Sequence, residues 1–356
     1  MNVLRILVSW LVAIAISAPA SAAPYPVVRP GIVLRFPADH GAHPQFRTEW
    51  WYVTGWLRTA SGQDLGFQVT FFRSRPAGDQ HNPSRFAARQ LLFAHAALSD
   101  RSAGRLFHGE RTARAGFGLA GARIDDAEVV IRDWRLYRSP AGRWAAHVNA
   151  ADFALSLDFQ PTQPPLAQGR GGYSRKGPDP VHASYYYSIP HLRVSGRVRR
   201  GNQFEVVSGE AWLDREWSSD YLAPDAQGWD WAGLNFDDGS ALMAFRIRRK
   251  GGGTIWAGGS YRRPGGAVAV LGPGDVTFRT LATWRSAATG AAYPVIQELS
   301  IRVEGRIKRW RLQPMFAAQE LDARRSGLPV YWEGAVSTRG GRGYLELTGY
   351  DRALKM

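Results

Sequence analysis

The residues of this sequence best suited to chemistry are Trp212-Leu213-Asp214-Arg215-Glu216-Trp217. On a strand, Trp212, Asp214 and Glu216 share one face, with the two acidic positions about 6.5–7 Å apart at the Cα level. Two like charges at that spacing in a partly dry cavity raise one pKa, which makes Asp214 or Glu216 a catalytic proton donor at neutral pH. The competing reading is an ion-pair cluster at a strand end, both acids being neutralised by some of the chain's 41 arginines.

Aromatic residues supply the second signal. Glu49-Trp50-Trp51-Tyr52 begins a segment in which Trp50, Tyr52, Thr54 and Trp56 alternate onto one strand face. Such a wall surrounds a long apolar ligand, stabilises a carbocation through its ring faces, or simply fills a core. The run Ser184-Tyr185-Tyr186-Tyr187-Ser188 carries the same double reading. His40-Gly41-Ala42-His43 together with His95 is a second candidate, because imidazoles are the soft metal ligands available in a chain without cysteine. Their spacing lies in a Pro/Gly loop and no H-E-x-x-H pattern occurs, so His40 and His43 stay weak candidates and no metal or other cofactor is expected. Nucleophile elbow, P-loop and dinucleotide fingerprint are all missing from the sequence.

The elements that must position these residues read as strands. In His191–Arg199, Leu192, Val194, Gly196 and Val198 alternate with Arg193, Ser195, Arg197 and Arg199, and the turn at Arg200-Gly201-Asn202 leads into Gln203–Asp214. Ala241, Met243, Phe245 and Ile247 alternate with Leu242, Ala244, Arg246 and Arg248. Further strands are predicted at Glu49–Leu57, Leu65–Arg73, Leu91–Ser99, Ile255–Tyr261, Ile296–Val303, Arg309–Gln313, Val330–Val336 and Tyr344–Tyr350. Only Pro83–Gln90 suggests a short helix. A weak repeat relates 49–73 to 228–248: aligning Gly55 with Gly233 pairs Trp51 with Trp229 and Val53 with Trp231. Two copies of one β unit are therefore expected, an all-β chain with barrel or sandwich architecture. The boundary falls at Tyr221–Gln227, which makes 23–221 the first domain, with a long loop at 161–184 and with Tyr185–Trp217 closing the barrel, and 228–356 the second.

Composition sets the outer limits. With 356 residues, 45% apolar content, and 39 Gly plus 21 Pro, the chain can fill real cores between frequent turns. Arg5, the apolar run Ile6–Ile16 and Ala20-Ser21-Ala22 form a secretory signal pattern, predicting cleavage near Ala22/Ala23 and a periplasmic or secreted protein. Eleven apolar residues fall short of the roughly 20 needed to span a bilayer. The formal charge of +15 is dispersed along the chain. With export, that argues for no nucleic-acid partner and for peripheral attraction to an anionic membrane.

The blocks FRTEWWYVTGWL, GFQVTFFR, LLFAHAALSD, ASYYYS, GEAWLDREWSS, GWDWAGLNFDDG, QELD, VYWEGAV and GRGYLELTGY, in that order from about Phe36 to Tyr350, resemble the AttH-like secreted proteins related to carotenoid 1,2-hydratase (hydroxyneurosporene synthase). The resemblance implies two tandem lipocalin-like antiparallel β-barrels. It also implies either polyene hydration or an accessory, ligand-binding role beside export-type ABC transporters. Two departures stand out. Arg215 replaces a histidine common in relatives, putting a permanent charge where an imidazole could shuttle a proton, and Phe316-Ala317-Ala318 replaces residues that are often acidic. The expected function is binding of a lipid, polyene or isoprenoid in a tryptophan-walled hollow within or between the barrels. Glu49, Trp50, Trp51, Tyr52, His95, Tyr186, Trp212, Arg215, Trp217, Trp229 and Trp231 are the ligand-binding candidates. The alternative is a hydratase-like lyase or isomerase in which Asp214 and Glu216 are the catalytic acids.

Overall fold

The computed structural model describes residues 25–354, except 79, 81, 325, 326 and 328. The expected export segment and its cleavage point lie outside the described residues, among which no helix is long and apolar enough to cross a membrane. The first sheet comprises β1 (Thr48–Thr59), β2 (Asp64–Ser74), β3 (Leu91–Asp100), β4 (Arg105–Arg114), β5 (Ala120–Ala122), β6 (Glu128–Ile131), β7 (Trp134–Arg138), β8 (Trp144–Asn149), β9 (Phe153–Pro161), β10 (Leu166–Ala167), β11 (Tyr173–Arg175), β12 (Ala183–Arg200) and β13 (Gln203–Asp220). The second comprises β14 (Ala226–Phe236), β15 (Ala241–Arg249), β16 (Thr254–Arg262), β17 (Val268–Leu271), β18 (Val276–Arg285), β19 (Ala292–Val303), β20 (Arg306–Pro314), β21 (Glu320–Asp322), β22 (Val330–Thr338) and β23 (Gly341–Thr348). In the first, β3 and β4 return against β6; in the second, β15 and β16 meet β18. Each antiparallel sheet thus curls on itself in the tandem lipocalin-like manner.

Alternation decides what each face buries. On β1, Trp51, Val53 and Leu57 enter the core of the first barrel with Phe67, Trp134, Trp144 and Trp217. On β15, Leu242 and Ala244 enter the core of the second. The opposite faces are apolar too, because the barrels pack outer face to outer face: Tyr52, Trp56, Tyr186 and Trp212 meet Trp231, Met243, Phe245 and Tyr344 in a third cluster. Gly66 marks a close approach, since a Cβ there would sit 2.7 Å from that of Ala335 and 2.9 Å from the Tyr344 hydroxyl. His191, left-handed (φ 52°) at a β-bulge of β12, fastens the barrels further. Its backbone N–H reaches Asn235 Oδ1 at 3.1 Å, and its Nε2 lies 2.9 Å from the Ser240 carbonyl.

Several expectations need correction. Pro83–Gln90 forms turns, not a helix, because Asn82 and Ser84 side chains accept from the backbone N–H of Ser84 and Phe86 and compete with helical bonding. The segment 161–184 is no simple loop: β10 and β11 pair with β12, while Arg262 clamps the carbonyls of Pro164 and Pro165, each at 2.9 Å. The hairpin β12–β13 does not close the first barrel; it is its midline, β13 pairing with β1 and β12 with β9. Its turn is Gly201-Asn202, one residue shorter than predicted because Arg200 still pairs with Gln203, with Gly201 at φ 57°. The expected repeat is displaced by one residue: Trp51 and Val53 face a barrel core whereas Trp229 and Trp231 face the other barrel. Only an odd offset matches faces, because side chains alternate with period two.

Candidate functional site

The hollow, expected within or between the barrels, lies between them. Large side chains fill both barrel cores, and the cavity, about 350 Å³, opens where the outer faces diverge. From the first barrel, β1 contributes Trp50 and Tyr52, β2 Phe72, β3 His95, β12 Tyr186, and β13 Asp214 and Glu216. The second barrel contributes Trp229 and Trp231 from β14, Phe245 and Ile247 from β15, Tyr331 and Glu333 from β22, and Glu346 from β23. Trp50 stacks on Tyr221 (4.8 Å) and Trp229 (6.5 Å), and Trp231 meets Tyr52 edge-on at 5.4 Å. The walls are therefore apolar and aromatic; the polar atoms in them are few and placed.

Four carboxyl groups converge on this space. Asp214 accepts hydrogen bonds from the Tyr186 hydroxyl (2.6 Å), Ser188 Oγ (2.5 Å) and Trp212 Nε1 (2.7 Å). Trp231 Nε1, from the other barrel, donates to the Tyr186 oxygen at 3.0 Å, which completes a relay across the seam. Burial outweighs these donors and pushes Asp214 up to about 7. Glu216 is held by Lys176 Nζ at 2.8 Å and by Ser184 Oγ. Glu333 and Glu346 are cross-strand partners on β22 and β23. Burial lifts Glu346 to about 7, and burial together with the Glu346 charge lifts Glu333 well above the usual carboxylate range. The Tyr52 and Tyr331 phenols lie against Glu333, and His95, its pKa held down to about 3 by burial, bonds the Tyr331 hydroxyl at 2.8 Å.

Asp214 and Glu216 share a face as the sequence predicts, but among the described residues no arginine pairs with either: hydroxyls, an indole and one lysine hold them. Glu49, Trp51, Arg215 and Trp217, expected at the ligand, are not in the cavity. They point to the opposite face of β1 and β13, into the first barrel, as strand alternation requires. There the Arg215 guanidinium lies 3.9 Å from the Trp51 ring centroid and pairs with Glu49, whose other oxygen takes Arg73. Arg215 thus stands next to the two acids in sequence and behind the sheet from them in space. His43 stacks on Trp217 at 3.8 Å between Asp39 and Glu49, and His40 Nδ1 lies 2.6 Å from the Tyr187 hydroxyl. His40 and His43 serve this barrel end, on the opposite face of the sheet from His95. Trp212, also expected at the ligand, does not line the cavity; it sits behind Asp214, to which it donates, and meets Trp231 edge-on.

Sequence reasoning missed Glu333, Glu346, Tyr331 and Lys176. The signal was present: in VYWEGAV and YLELT a glutamate interrupts strands that are apolar on both faces, so its carboxyl has nowhere to go but an interface. A consequence for stability follows. Glu346 is lifted from 4.5 to about 7 in the folded chain, so it contributes stability below pH 4.5 that is progressively lost as pH rises through 7. Thermal melts across that window should show Glu346→Gln gaining on the native chain as pH rises; parallel pH profiles for the two proteins would contradict this.

Fold and site together define a tandem lipocalin-like protein with an acid-lined cavity between its barrels. The chain belongs to the AttH-like family, which it matches over residues 27–350. Among solved structures, it is similar to an AttH protein of Nitrosomonas europaea, at 49% identity and a TM-score of 0.85 over 91% of this chain and 99% of that one. It is also similar in fold to kievitone hydratase of Nectria haematococca, at 14% identity and a TM-score of 0.65 over 92% and 95% of the two chains. No curated protein matches the sequence.

Proposed function

We propose that the protein binds an apolar, unsaturated small molecule between its barrels and adds or removes water across one of its double bonds, with Asp214 as the acid. The observation that carries this reading is a buried carboxyl with a pKa of about 7, bonded to a phenol and an indole in an aromatic wall and faced by a second acid pair. At neutral pH such a group holds a transferable proton for a substantial fraction of the time. Protonation of an alkene by Asp214 leaves a carbocation beside the faces of Trp50, Trp229 and Trp231. Water then adds at that carbon and returns a proton to a carboxylate such as Glu216. The likeness of the scaffold to a hydratase is consistent with this chemistry.

The second reading is a carrier for a lipid, polyene or isoprenoid, working outside the cytoplasm beside an export-type ABC transporter. The apolar walls and the export-like N-terminal sequence favour it. The buried carboxyls weigh against it, because a carrier of hydrocarbon gains nothing from removing four acids from water. Native mass spectrometry of freshly isolated protein identifies any retained ligand. Incubation with acyclic isoprenoids and prenylated phenols then tests for a product differing by one water. A retained apolar ligand with no such mass change for any alkene would overturn the enzymatic reading and leave the carrier.

A further inference from the structure

We propose that the tip of the first barrel at residues 82–90 and 115–119 docks on an anionic lipid bilayer. Three large apolar side chains stand in solvent there: Phe86 is 69% exposed, Leu119 54% and Phe117 50%. Phe86 and Phe117 stack on each other at 5.5 Å. Phe117 adopts a left-handed backbone (φ 57°) between Gly116 (φ 120°) and Gly118 (φ 70°), a conformation that bulky residues avoid. The turn therefore accepts backbone strain while it presents a phenyl ring to water.

The charge around the rings argues for the occupant. The Arg114 guanidinium lies 5.0 Å from each ring and donates to the Phe86 carbonyl, and Arg85 lies 5.9 Å from the Phe117 ring. Arg89 donates to the Asn82 carbonyl at 2.9 Å, and the Arg132 backbone N–H donates to Leu119 O at 2.7 Å. Among the described residues none of these four arginines pairs with a carboxylate, whereas Arg123, Arg135 and Arg138 nearby in sequence all do. Apolar rings that project beyond unneutralised guanidiniums match the layering of a bilayer surface, with anionic headgroups outside and acyl chains within.

Co-sedimentation of the purified chain with phosphatidylcholine vesicles, with and without phosphatidylglycerol, tests this. Every variant carries the same N-terminal segment, so differences between variants report the tip. Binding should require phosphatidylglycerol and weaken with salt. It should fall about tenfold or more in Phe86→Ser/Phe117→Ser and in Arg89→Gln/Arg132→Gln, with unchanged melting temperature because all four side chains are at the surface. Arg309→Gln/Arg311→Gln, removing equally exposed charges from β20, should change it little. Equal losses from the β20 pair, or undiminished binding by the phenylalanine variant, would overturn the proposal, as would no vesicle binding at all.

Discussion

Asp214→Asn is expected to lower turnover of an alkene substrate by about 10²–10⁴-fold while leaving the fold in place, the usual range for removal of a general acid. Asparagine keeps an oxygen at the Oδ1 position for Ser188 and Trp212, and its amide group takes the Oδ2 position, where it donates to the Tyr186 oxygen, so the position stays hydrogen-bonded. What it removes is the proton. The active form is the acid, so the native rate should fall as pH rises through about 7. Tyr186→Phe provides the complementary result. Removing its hydroxyl takes a donor from the carboxylate form, so the falling limb should move to higher pH. A rate that survives Asp214→Asn, or that is flat with pH across neutrality, would assign proton delivery to another group, with Glu346 the next to test. The stability of Asp214→Asn should also exceed that of the native chain in alkali, since a buried carboxylate is replaced by a neutral amide.

Glu49→Gln is expected to have the largest effect on stability, about 3–5 kcal/mol, although the residue never meets the cavity. Glu49 is the shared counter-ion of Arg73 and Arg215, all three are buried, and its oxygens also accept the His43 backbone N–H at 3.0 Å. Removing its charge strands two guanidiniums in the first barrel. The paired arginines hold the Glu49 carboxyl well below the usual carboxylate range, against the opposing effect of burial. Glu49 therefore contributes stability that is present above pH 4.5 and is lost on acidification. Chemical denaturation at neutral and acid pH measures both. A loss under about 1 kcal/mol would show that solvent reaches the cluster. Arg215→His should also destabilise the chain and should not raise activity. Its side chain faces Trp51 and Glu49, on the far side of the sheet from Asp214.

Much of this architecture was legible in the residues. The alternation in His191–Arg199 and Ala241–Arg248, the Gly201 turn and the shared face of Trp212, Asp214 and Glu216 all follow from period-two geometry. Other elements passed unread. Phe153–Pro161 alternates as clearly as any of them and forms β9, while β5 to β7 are too short and too interrupted by Gly and Asp to show a period. The weak repeat pointed to paired β units but placed Trp51 against Trp229, because similarity of tryptophan-rich hairpins does not record which face each ring occupies.

Sequence alone determined that this is an all-β chain, that its acids at 214 and 216 look the same way, and that its tryptophans could wall a site. Those are local matters, set by backbone geometry and side-chain type. Tertiary structure decided the rest: that the site lies between two barrels, that Arg215 and Glu49 belong to a barrel interior, and that Glu333 and Glu346, over a hundred positions away, face Asp214. An apolar residue on a strand looks identical whether it faces its own core or a neighbouring barrel. Only the packing of one sheet's outer face on another's separates the two, and that same packing dries the cavity enough to hold a carboxyl's proton near neutral pH.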